Sequence, residues 1–267
     1  RIAINDILLM VGSLTALVLF LFAERRSFRL ALLPLFLAIF GGLLLTQSRG
    51  FWVAFAVGAF GMFVLADRRK KGQLAFLTLA GTAGVLAVGF VFFPAYLNLI
   101  VAGMLDRFAT LQSATTADIS LVNRFLESRA VWERIVENPV LGHGMGVPFR
   151  FFDITFDVTR VDAFIHNGFL SLWYRFGLWG LGLMLFVWAV STWKGIQAFR
   201  SPGASLFVRM GGLAAALSLI ALVLPANTSN PFYLRDSTFI LAFLFGLAGG
   251  TARRAADERA EPASTAS

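Results

Sequence analysis

The residues able to do chemistry in this chain are two histidines and a set of arginines, gathered between two strongly apolar blocks. His166 and Asn167 stand between Ile165 and Phe169, at the start of a long apolar run. A histidine at a helix N-terminus feels the positive end of the helix dipole, which favours the neutral imidazole. The neutral ring is the form that accepts a proton from an attacking hydroxyl. An interfacial histidine bonded only to backbone is the plainer account of the same residue. His143 lies in NPVLGHGMG, where three glycines in five positions mark a tight turn, so it reads as a turn residue. Arginine offers a planar fork that binds phosphate oxygens in pairs. The arginines that matter are Arg124 and Arg129 ahead of His166, Arg49 in the link LLTQSRGFW, and Arg175 about nine residues into the run that follows His166. Charge near or inside a bilayer is costly and usually functional or facing a wet cavity, although Arg49 could simply snorkel to the interface.

The elements that must position these groups follow from spacing. Asp118 to Asn138 predicts a helix, with Asp118 able to cap its start and Pro139 forbidding its continuation. Projected at about 100° per residue, Leu121, Phe125, Trp132 and Val136 share one face, with Ile135 near its edge and Glu127 and Arg134 opposite. Arg129 falls about 50° from the centre of that apolar stripe and Arg124 about 90° off on the other flank. If the stripe packs on the membrane side, Arg129 points inward while Arg134 and Glu127 face water. An i,i+4 pair of Arg129 with Glu133 is the competing account. Arg175 lies about half a turn from His166 and so does not share its face on a straight helix.

The chain has 267 residues, 58% hydrophobic and 14% charged, with mean hydropathy +0.76. Soluble domains carry roughly 25% charged residues, so the expected class is an all-α polytopic membrane protein. About seven apolar segments can be marked, at 7–23, 30–46, 50–66, 74–93, 167–190, 206–225 and 237–250. Each approaches the ~20 residues that a bilayer core requires. The connections alternate between a basic set and a second set made of the 1–6 start, the 47–50 link, the loop at about 94–166 and the 226–236 link. The basic set holds Arg25, Arg26 and Arg29; Arg68 to Lys71; Lys194, Arg200 and Arg209; and Arg253, Arg254 and Arg259. By the positive-inside rule these are cytoplasmic. The chain then divides into four transmembrane helices (1–93), a large external loop with the amphipathic helix (94–166), three transmembrane helices (167–250) and a disordered cytoplasmic tail (251–267). The N-terminus falls outside, and with Arg1 rather than Met in front, earlier spans are expected to precede it.

Net charge +8 is explained by this orientation rule, so no nucleic-acid partner is expected. All three lysines lie in the basic connections and every external basic residue is arginine, a bias that phosphate binding and codon usage explain equally. The glycine turn lacks the following lysine of a nucleotide loop. With no cysteine and no carboxylate at ligand spacing from either histidine, no metal site is expected.

Three stretches in order, SRGFW from Ser48, RAVWERIVENPVLGHGMG from Arg129 and HNGFLSLWYRFGLWGLGL from His166, resemble the O-antigen ligase and O-antigen polymerase superfamily of bacterial envelope glycan transferases. The resemblance covers roughly residues 30–250. It implies transfer of a glycan from undecaprenyl pyrophosphate to a hydroxyl of a lipid A core sugar or another glycan repeat. The reaction would take place at the outer face of the inner membrane, among membrane lipid, with neither metal nor cofactor. It also implies that Arg49 and Arg129 hold the pyrophosphate and that His166 is the base or orients the acceptor; Arg124, Asn167 and Arg175 are the substrate-binding candidates read from the residues themselves. Many relatives carry a carboxylate where this chain has Arg175, which leaves that position without an implied role. A transporter or flippase for a lipid-linked or anionic solute is the alternative, although no motif repeats between the first and last spans, as transporter halves commonly show. A non-catalytic scaffold would have no use for inward arginines on an external helix.

Overall fold

The computed structural model describes residues 5–46, 48–68, 70–75, 102 and 119–260. Its elements are helices α1 (Asp6–Phe22), α2 (Arg26–Leu45), α3 (Arg49–Leu65) and α4 (Ile119–Glu137), strands β1 (Phe149–Asp153) and β2 (Val158–Asp162), then α5 (Gly168–Arg200), α6 (Leu206–Leu222), a short 3-10 turn (Pro225–Asn227) and α7 (Arg235–Ala260).

Helix α6 is the centre of the bundle. Two thirds of its apolar window, 67%, is buried, against 11% for the peripheral α2. Its small residues explain this. Where lipid is as apolar as leucine, helices associate through close backbone packing. Gly195 of α5 and Gly212 of α6 meet so tightly that a Cβ on either would lie 2.6–2.7 Å from the other's carbonyl oxygen. Ala216 extends the contact, 3.0 Å from a Cβ placed on Gly195, and the Trp188 indole donates to the Leu219 carbonyl at 3.0 Å.

Among the described residues four helices, α2, α5, α6 with its 3-10 extension, and α7, are long and apolar enough to cross a membrane. Helices α1 and α3 are apolar but have 17 residues each, about 26 Å at 1.5 Å per residue. The seven-span count is therefore not established, and the 74–93 segment lies outside the described residues apart from Leu74 and Ala75.

The last helix corrects the sequence reading of the tail. Residues 251–260 continue α7 instead of being disordered, because polar contacts tie them to the α5–α6 link. Glu258 accepts from the Ser205 amide at 2.7 Å and from Arg254 at 3.1 Å, and Arg259 donates to Ser201 Oγ at 3.0 Å.

The all-α expectation also needs amending. FRFFD and VTRVD pair as an antiparallel hairpin, Phe149 opposite Asp162 and Asp153 opposite Val158. Phe149, Phe151 and Asp153 face inward, so the strand alternates as a half-buried strand must. Buried Asp153 anchors the hairpin to α4: it accepts from Asn123 at 3.0 Å and pairs with Arg160 at 3.0 Å, while Asn123 in turn accepts the Ile154 amide at 3.1 Å. A small core of Val131, Ile135, Phe149, Phe151, Ile165 and Tyr174 binds α4, β1 and the start of α5 into one unit.

Candidate active site

Helix α4 has the expected bounds, but its packed face is not the expected one. The buried residues are Glu127, Val131 and Ile135. Phe125 is 70% exposed and Val136 61%, so the apolar stripe is left outside. Arg129 correspondingly points away from the packed face. Its side chain is 70% exposed and pairs with Glu133 at 3.3 Å, so it is the i,i+4 account that holds. Arg134 is exposed as expected and bonds Glu137 at 2.7 Å. Arg124 is half-buried on the same side as Glu127 and is engaged by a neighbour. Asp118, the expected cap, lies outside the described residues.

The reversal brings Glu127 onto His166. Oε1 of Glu127 accepts the His166 backbone amide at 2.7 Å, and Oε2 lies 2.6 Å from Nδ1 of the ring. Glu127 is buried while the His166 side chain is 43% exposed. The carboxylate is thus buried against Nδ1, and no group among the described residues bonds Nε2.

The segment carrying His166 is held on every side. Asn167, the substrate-binding candidate, instead caps α5, its side-chain oxygen accepting the Phe169 and Leu170 amides at 3.0 and 3.1 Å. Buried Asn230 donates to the Ile165 carbonyl at 2.8 Å. Arg175, only 6% exposed, donates to the Ala163 carbonyl at 2.8 Å and stacks its guanidinium 4.5 Å from the Tyr233 ring centre. Arg175 reaches the His166 segment after all: it does so through the backbone three residues earlier and not by sharing a helix face. Phe164 completes the frame, edge-on to His166 at 4.9 Å and to Tyr233 at 5.3 Å.

The turn Pro225–Thr228 touches the starts of both α3 and α5: a Cβ on Gly50 would sit 3.6 Å from Thr228 Oγ1, and one on Gly168 would sit 3.1 Å from the Ala226 carbonyl. One turn therefore meets the backbone next to Arg49 and the backbone two residues after His166.

His143 is built into a different feature, a break in α5. Gly177 has φ 65° and ψ −168°, which ends helical bonding there. The freed Tyr174 and Arg175 carbonyls accept the His143 and Gly144 amides at 2.7 and 3.0 Å, and the Leu178 amide donates to the Pro139 carbonyl at 3.0 Å. The glycine turn thus substitutes for a missing helical turn. The His143 ring lies on Tyr174, centres 4.8 Å apart, with Nε2 2.6 Å from the Arg134 carbonyl, so it is a turn residue occupied by structural bonds.

The family model described as O-antigen ligase (Wzy_C) matches residues 34–185. The chain belongs to the O-antigen ligase family. The match takes in Arg49, α4, the hairpin, His166 and Arg175, and leaves out the 225–233 link that supplies Asn230 and Tyr233. With its apolar helices, this makes the chain a multi-pass membrane protein. No match is found among curated proteins. Among the described residues no three histidine or acidic side chains gather as a metal ligand set.

Sequence reasoning overlooked Glu127 and Asn230 in this member of the family. Glu127 had been placed in water by the hydrophobic projection, and nothing local announces a partner 39 residues away. The hairpin carried only a weak signal, aromatic and β-branched residues in FRFFD and VTRVD on either side of a short polar stretch, without a clean period-2 alternation.

Proposed function

We propose that this O-antigen ligase family member transfers an undecaprenyl-pyrophosphate-linked glycan to an acceptor hydroxyl, on a lipid A core sugar or a growing glycan, at the outer face of the bacterial inner membrane. The observation that carries the reading is the His166 ring: a buried carboxylate anchors it at Nδ1, its side chain is 43% exposed, and the helix start beside it and the one carrying Arg49 meet the same 225–228 turn. The acceptor O–H gives its proton to Nε2 as its oxygen bonds the anomeric carbon. The bond from that carbon to the pyrophosphate oxygen breaks, and its electron pair leaves with the pyrophosphate. Negative charge builds on the leaving group, and fixed arginines stabilise it most where water is scarce.

Arg49 and Arg124 are assigned to the phosphates, with Arg129 at the rim. The Arg129–Glu133 pair does not bar this last role, because exposed i,i+4 pairs are worth only about 0.3–0.5 kcal/mol and a pyrophosphate can displace the carboxylate. Between α3, α5 and α6 runs an apolar groove lined by Val57, Trp188, Trp193, Ile196 and Leu224. Its end at Leu224 adjoins the turn that meets the starts of α3 and α5, so it suits the polyprenyl tail of the donor.

The test is transfer from a purified lipid-pyrophosphate glycan. His166→Ala is expected to lose about 10²–10⁴-fold in turnover, the usual worth of general base assistance, while still binding donor. Arg49→Ala is expected to lose donor binding and rate together. Full activity in the His166 variant would refute the mechanism.

A further inference from the structure

We infer that Glu127 is the positioning residue of His166, holding the ring proton on Nδ1 so that Nε2 meets the acceptor hydroxyl with its lone pair free. The inference rests on His166 being the proton acceptor.

Five side chains hold the 163–167 segment, Asp162 among them by accepting the Phe164 amide at 2.8 Å, and they differ in what they touch. Arg175 and Asn230 bond the carbonyls of Ala163 and Ile165, and Asn167 bonds amides of α5. These fix the backbone and leave the imidazole alone. Only Glu127 bonds the ring, and it spends both of its oxygens on one residue: the His166 amide at 2.7 Å and Nδ1 at 2.6 Å. Main chain and ring are therefore set by a single rigid group on α4.

The chemistry of the carboxylate decides the tautomer. An ionised carboxylate only accepts hydrogen bonds, so the proton of the neutral ring has to be on Nδ1. The lone pair is then on Nε2, to which no group among the described residues bonds. A glutamine of the same shape would serve the backbone amide equally well through its carbonyl oxygen. Its amide N–H₂, however, would face Nδ1 as a donor and draw the ring proton to Nε2, where a base needs none. The carboxylate has a second effect that glutamine lacks. As the acceptor proton arrives, the ring becomes an imidazolium, and the negative charge beside Nδ1 stabilises it. A buried carboxylate plays both parts for the histidine of serine proteases, where amide replacement costs about 10⁴-fold in turnover. Burial of Glu127 makes sense on this account. A buried carboxylate is costly unless its oxygens are satisfied, and a purely structural tie to one amide would not require a charge.

The experiment compares wild type, Glu127→Gln, His166→Ala and the double variant in the full chain. The chain has two histidines, so ¹⁵N ring spectra are assigned with His143→Gln. Wild type is expected to show His166 protonated on Nδ1 with Nε2 bare, and Glu127→Gln to show the reverse. Turnover in Glu127→Gln is expected to fall by about 10²–10⁴-fold with donor KM near wild type, and the double variant to be no worse than His166→Ala, since residues acting as one unit are not additive. Activity retained by His166→Ala would overturn the base reading itself. An inactive His166→Ala beside a fully active Glu127→Gln would overturn the role of Glu127 and leave that reading intact. If Glu127→Gln does not fold, the wild-type spectrum still decides, because a proton on Nε2 refutes the inference.

Discussion

Gly177→Ala tests whether the break in α5 is built by the glycine turn. At φ 65° and ψ −168° the backbone occupies a region essentially reserved for glycine, and a side chain there costs about 1–3 kcal/mol. An added Cβ would also collide with the Val140 carbonyl and lie 2.7 Å from the Leu141 carbonyl carbon. Relief requires the turn to withdraw, which breaks the bonds Tyr174 O and Arg175 O receive and the bond Leu178 gives to Pro139. At about 0.5–1.5 kcal/mol each, the three bonds and the strain come to about 5 kcal/mol. For a chain of this size 1 kcal/mol moves the melting midpoint by about 2–4 °C, so a fall of about 10–20 °C is expected in detergent. Gly182→Ala is the control: nothing lies within 4 Å of its Cβ position, and in a helix interior alanine should be neutral or gain up to about 1 kcal/mol. Hydrogen exchange should show the His143, Gly144 and Leu178 amides losing protection in Gly177→Ala alone. Activity should fall with them, because the first part of α5 carries His166 and Arg175. A midpoint within a few degrees of the control would refute the interlock.

Arg129→Ala should lower donor kcat/KM by about ten- to a hundredfold, the worth of one charge-assisted bond, whereas Glu133→Ala should leave it unchanged or raise it; equal losses in both would make the pair structural. His143→Ala should cost about 1 kcal/mol of stability, measured by thermal unfolding, for the lost bond to the Arg134 carbonyl, with kcat per folded molecule unchanged. Reporter fusions at Phe152 should read external and those at Lys70 and Gln197 cytoplasmic, and a cytoplasmic signal at Phe152 would remove access to an outer-leaflet donor.

The sequence by itself determined the apolar helices, the span of α4 between an acidic residue and Pro139, and the placing of His166 and Asn167 at the start of α5. These are local matters, settled by composition, periodicity and the chemistry of helix ends. It also carried the three motifs of the family, with the arginines in their order. Only the tertiary structure decided which side of α4 is inside. Projection turned the stripe of Leu121, Phe125, Trp132 and Val136 inward because hydrophobic burial is the rule in water. That rule yields where a polar group must be buried, because an unsatisfied buried polar group costs more than an exposed apolar side chain. The choice of face then falls to polar groups that must find partners, Glu127 at His166 and Asn123 at Asp153, and to the close fit of Val131 and Ile135. Those partners lie 39 and 30 residues along the chain, and no window of sequence shows that they meet. The glycine turn and the Gly177 break are the same case: each is legible alone as an irregularity, but only the fold sets one against the other so that the turn's amides complete the helix.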